Sequence, residues 1–299
     1  MEEQLAKLIY DYTKKEKIID KEFIESFAEI VVDNYAINEY LNKIVYEKTS
    51  SKNSVMCYQN NNGTRKITIY RNDLNQEVNF LVNSFFKGNS TVLIKNVLIL
   101  QMLMHELMHI KQYKTYNEKK IEKANTIEDA VTFIAWSIIL ITDFEAILMN
   151  ILGKKNAINK KLTELTQKRI DKVYFFDPIE RMAEIDACQI MKKILYILKL
   201  NHQEVEMFTY LNYLIMNKEI SSYDKTKNNF PFQKFVNLGH LQKAWKQSII
   251  YDSIKKGLTK ECLNLPLEER CRYGFPITEE EKEKLQREHI ILSRKLLNS

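Results

Sequence analysis

The stretch "LILQMLMHELMHIKQY", residues 98–113, sets His105, Glu106 and His109 into an almost wholly apolar run. No Gly or Pro interrupts it, and its apolar content extends to both sides, which predicts a buried helix over 92–117. Two of the chain's five histidines therefore fall four residues apart on one helix. That separation is about one turn, so both imidazoles project from the same face, close enough to share a metal ion. Glu106 follows the first histidine, where its carboxylate can reach a water at that ion without ligating it, the general-base place of an H-E-x-x-H arrangement. Leu103, Leu107, Met108 and Ile110 anchor the other faces in a core.

A catalytic zinc site needs three protein ligands and one open position, and a later helix carrying Glu is one standard source of the third. The segment "FFDPIERMAEIDACQIMKKIL", residues 175–195, offers such a helix. Asp177 suits the N-cap and Pro178 the first helical position, which places the helix over 178–198. Glu180 and Glu184 then sit one turn apart on one face. One of them can bind metal while the other accepts the second N–H of a ligating histidine and fixes its tautomer. Ordinary first-turn acids favoured by the helix dipole would look the same in isolation.

Taken together, "HELMH" and "PIERMAE" resemble the gluzincin metallopeptidases, whose third ligand lies in a Glu-x-x-Ala-Asp/Asn or Glu-x-x-x-Asp pattern on a later helix. The resemblance implies one catalytic zinc ion held by His105, His109 and Glu180, with Glu106 as general base and Glu184 as the outer partner of a ligating histidine. Glu184 stands where that family has Asp or Asn. Because Glu184-Ile185-Asp186-Ala187 also fits Glu-x-x-Ala, Glu184 remains the alternative third ligand. The resemblance spans about residues 55–200 and implies a zincin-like core acting on a protein or peptide substrate. It is unlike a metzincin, since positions 112 and 115 are Gln and Thr. Gln112 itself is read as the start of the helix's solvated end.

Only six Gly and four Pro, with long stretches of helical apolar spacing, predict a mainly α (α+β) fold. Helices are expected at 2–18, 20–48, 74–86, 92–117, 127–152, 155–172, 178–198, 203–217, 232–256 and 278–296. The exception is 54–71, where "SVMCYQ" and "TRKITIYRN" flank an Asn-Gly turn and read as a small β-hairpin or sheet before the histidine helix. In the zincin fold an edge strand lines the cleft and can pair with an extended substrate. A helical region at 1–53, the core at 54–217 and a helical C-terminal portion at 218–299 are the expected divisions, though one domain would also fit. The break rests on polar, turn-rich 218–231. "EERCRYGFPITEEEKEKL", residues 268–285, reads as a loop to Pro276 and then a helix with Thr278 and Glu281 in a capping box.

The charge of +6 is spread along the chain, and no nucleic-acid-binding module is recognisable. The N-terminus lacks the zones of a secretory signal. The apolar run from Ala130 stops at Thr142, short of the ~20 residues a span needs, so a buried helix is expected and no membrane span. Cys57, Cys188, Cys262 and Cys271 form no C-x-x-C pair, which fits reduced thiols and a cytoplasmic location. His202, His240 and His289 have no partner spacing and are assigned surface or capping roles. Beside the peptidase reading stand a non-enzymatic α-helical interaction protein and a zinc-binding pseudo-peptidase with a structural metal.

Overall fold

The histidine helix is the longest element of the first of two compact units, and its packing organises that unit. The computed structural model describes residues 1–13, 16–50, 54–61, 63–86, 91–118, 132, 178–199, 202–227, 264–274 and 277–298. The expected helices 127–152, 155–172 and 232–256, the apolar run from Ala130, Asp177, His240 and Cys262 lie outside the described residues. One unit comprises Met1–Lys114, Ala183–Asn217 and Gln286–Ser299, the other Thr115–Met182 and Lys218–Leu285. All four cuts, at 114/115, 182/183, 217/218 and 285/286, fall inside continuous helices.

The first unit begins with α1 (Glu2–Thr13) and α2 (Lys21–Asn34). Asp20 caps α2 by accepting the Phe23 amide at 3.0 Å. The helix predicted over 20–48 stops at Asn34. There Ala36 takes φ +51°, while the Ile37 and Ala36 amides donate back to Val32 and Asp33 at 2.9 and 3.1 Å, a Schellman closure. Its left-handed position is normally glycine, so alanine hid the stop. Beyond it, residues expected to continue the helix form a strand instead, β1 (Lys43–Glu47).

The hairpin forms as expected from β2 (Met56–Asn61) and β3 (Thr64–Tyr70), with Gly63 between them at φ +82°. β1 adds to β3 in parallel and β2 pairs with it antiparallel, giving a three-stranded sheet of order β1-β3-β2. Among the described residues β2 is therefore an edge. β3 is central, and Thr68 is buried along with Ile67 and Ile69, rather than alternating to solvent.

The sheet leads into α3 (Arg71–Phe85) and α4 (Val92–Glu118), with Thr91 Oγ1 accepting the Ile94 amide at the start of α4. α4 is long and apolar enough to cross a membrane by length and composition, but 78% of its most apolar window is buried inside the structure. Leu93, Ile94, Leu98, Leu100, Leu103, Met104 and Leu107 are all buried over more than half of its circumference, so α4 is a core helix. Buried Asn96 is satisfied: it accepts the Ile19 amide and donates to the Lys17 carbonyl, both at 3.0 Å. The chain continues with α5 (Pro178–Ile197) and α6 (His202–Lys227), the latter running past its expected end at 217 through part of the stretch read as irregular. Lys192 ties α5 to α6 by donating to Asn212 Oδ1 at 2.9 Å.

In the second unit, α7 (Leu267–Tyr273) is a short helix where a loop was expected; Gly274 closes it at φ +75°. Buried Arg181 donates to the Cys271 and Lys218 carbonyls and to Ser221 Oγ, and burial lowers its pKa to about 10. α8 (Glu279–Leu297) starts with the expected capping box: the Thr278 amide donates to Glu281 Oε2 at 2.9 Å, and the Glu281 amide to Thr278 Oγ1 at 3.3 Å. Burial pushes the Glu281 carboxyl up, but its bonds from Arg270 and Thr278 outweigh this and hold it below the usual range. Its contribution is thus present above the ordinary carboxyl pKa of about 4.3 and fades as pH falls through the depressed value. Glu281→Gln is expected to lower Tm at pH 7, with the difference from wild type shrinking as unfolding is followed into acid.

Candidate metal centre

α4 carries a polar stripe, Gln101, His105, His109 and Gln112, spaced by one turn along an otherwise apolar cylinder. The helix fixes the two histidines on one face, as the spacing predicted, with ring centroids 4.6 Å apart and planes at 89°. Their Nε2 atoms face each other at 3.0 Å. His109 is 8% exposed. The His105 side chain is 16% exposed.

The other ring nitrogen of each histidine has its own partner. His109 Nδ1 lies 3.0 Å from Gln112 Oε1, which can only accept, so Nδ1 carries the proton and Nε2 a lone pair. Gln112 is 6% exposed, so it belongs to the site and not to a solvated helix end; the turn that sets it beside His109 also buries it. His105 Nδ1 lies 3.0 Å from Glu184 Oε2 on α5. A carboxylate there favours the Nδ1–H tautomer of a ligating His105, the form that presents Nε2 to a metal ion.

Glu180 stands one turn before Glu184 on α5. Its carboxylate and one ring nitrogen of each histidine form a trio of ligand atoms within 4.8 Å of one another, a group that can hold a metal ion. Two imidazoles and a carboxylate are the donor set of an N/O divalent site.

Glu106 is on α4 beside the trio but outside it. Its Oε2 accepts the Tyr58 backbone N–H at 2.7 Å. Tyr58 is opposite Ile67 in the β2–β3 ladder, yet its N–H points away from β3, so the free edge of β2 faces Glu106. The Tyr58 hydroxyl donates to the Tyr40 carbonyl at 3.2 Å, and its ring lies 6.2 Å from that of Tyr113, one turn beyond His109. Burial raises the pKa of this hydroxyl, which stays protonated.

All five sequence-predicted residues thus fall in one neighbourhood: His105, His109 and Glu180 as a trio, Glu184 behind His105, and Glu106 alongside. Sequence reading missed Gln101 and the Tyr58 amide, whose partners are distant in the chain. The chain matches no protein-family model, no curated protein and no solved structure.

A divalent metal that binds this trio stabilises the folded chain by about 2.7 kcal/mol at a free concentration 100 times Kd. Thermal unfolding with added metal is expected to show this rise in wild type and to lose it in His105→Ala and His109→Ala.

Proposed function

We propose that the chain is a zinc-dependent peptidase of the gluzincin type, hydrolysing peptide bonds in a protein or peptide substrate. The observation that carries this reading is the division of labour around the histidines. Their Nε2 atoms meet at 3.0 Å, one ring nitrogen of each lies within 4.8 Å of a Glu180 oxygen, and their Nδ1 atoms lie 3.0 Å from Glu184 and Gln112 oxygens. This supports Glu180 over Glu184 as third ligand, because Glu184 already faces the side of His105 turned away from the convergence.

The order of elements also supports a zincin-like core: a small sheet with an antiparallel edge strand, then the helix bearing both histidines and Glu106, then the helix bearing Glu180 and Glu184. An extended peptide laid along the free edge of β2 would pass Glu106, since the outward Tyr58 amide reaches that carboxylate.

Zinc, when bound, supplies Lewis acidity that acidifies water and polarises a carbonyl. His105, His109 and Glu180 would hold the ion. Glu106 would accept a proton from the attacking water and deliver it to the departing amine, one carboxylate serving as base and then acid. The Tyr58 N–H fixes one oxygen of Glu106, which leaves the other to take the proton. Gln112 and Glu184 would keep both imidazoles in the ligating tautomer throughout.

Glu106→Gln preserves size and the contact with the Tyr58 amide but removes the base. Zinc content is expected to stay near one per chain while peptide hydrolysis falls by at least the roughly 100- to 10,000-fold worth of a general acid–base group. Zinc-loaded wild type inactive on a broad peptide library would instead point to a structural metal.

A further inference from the structure

Gln101 lies one turn before His105 on α4 and is 5% exposed, in a stretch of Leu, Ile and Met. Burying a primary amide there is costly unless its polar atoms are paired. Its Nε2 donates to Glu184 Oε1 at 3.1 Å and lies 3.9 Å from Cys188 Sγ. Cys188, one turn beyond Glu184 on α5, sits 3.8 Å from the same Oε1. Burial raises the Cys188 thiol well above its ordinary pKa, so it keeps its proton and is a weak donor to that oxygen.

The carboxylate of Glu184 is therefore divided. Oε1 faces Gln101 and Cys188; Oε2 faces His105 Nδ1. The last torsion of a glutamate is soft, so a single contact would leave the carboxylate free to swing. Held at both oxygens, it has one orientation. That orientation also turns it away from the convergence of the two Nε2 atoms, where a freed Glu184 would compete with Glu180.

We propose that Gln101 is a positioning residue of the metal centre: its amide orients Glu184, and Glu184 in turn holds His105 in the tautomer and rotation that ligate zinc. This rests on the reading of His105, His109 and Glu180 as zinc ligands. Gln101 touches neither metal nor substrate, so its effect is read in metal affinity.

The test uses the full chain with Zn2+ alone, its affinity measured by competition with a chromophoric chelator, beside thermal unfolding of the metal-free protein. Glu184→Ala is expected to weaken zinc about 10- to 100-fold, the usual range for a group behind a ligand, and Gln101→Met about 10-fold. The double variant should bind no more weakly than Glu184→Ala, because both substitutions break one chain of contacts. The metal-free Tm of Gln101→Met should match wild type. Gln101→Leu, of different shape, keeps the test open if the Met variant does not fold. Wild type that binds no zinc overturns the metal reading and this inference with it. Wild type that binds zinc while Gln101→Met binds as tightly, or loses affinity additively with Glu184→Ala, overturns the role of Gln101 alone, as does a fall in affinity matched by a fall in metal-free Tm.

Discussion

Two imidazole nitrogens, the Nε2 atoms of His105 and His109, meet at 3.0 Å on one face of α4. A Gln oxygen and a Glu oxygen each lie 3.0 Å from the opposite ring nitrogen. A carboxylate from α5, that of Glu180, has an oxygen within 4.8 Å of a ring nitrogen of each histidine, so the three together can hold a cation. Much of the first unit serves to make this possible: α4 is enclosed by apolar contacts over more than half of its circumference, beside the stripe that carries these groups. The apolar enclosure also strengthens electrostatic interactions inside it, so each partner in the stripe matters more than it would in water.

The parts of this arrangement set by local spacing were legible in the sequence. His105 and His109 at one turn, Glu180 and Glu184 at one turn, the Thr278–Glu281 capping box and the Asn-Gly hairpin depend on residues within four positions of each other, and all fall where expected. The parts set by distant pairing were not. β1 is five residues of "KIVYE" whose parallel partner is more than twenty positions away, and a short apolar run of that kind does not declare helix or strand. The stop before it lacked a signal because alanine occupies the left-handed position usually given to glycine. Gln112 looked like the first solvated residue of a fading helix, and only its bond to His109 gives it a role.

Function arises from how the small sheet meets the long helix. β2 is an edge strand whose outward amide binds the carboxylate next to the first histidine, so a surface suited to an extended chain and a base suited to proton transfer share one hydrogen bond. On the proposed function, Gln101 and Gln112 of the polar stripe would set orientation, the histidines would ligate, and Glu106 beside the stripe would do the proton work.

The central claim, that one zinc ion is held by His105, His109 and Glu180 with Glu184 outside its coordination, is tested most directly by anomalous diffraction at the zinc edge from crystals of the zinc-loaded chain. The account predicts a single peak about 2.0–2.2 Å from the Nε2 atoms of both histidines and from a Glu180 oxygen. A peak bonded to Glu184 in place of Glu180, or no peak at the histidines, would contradict it.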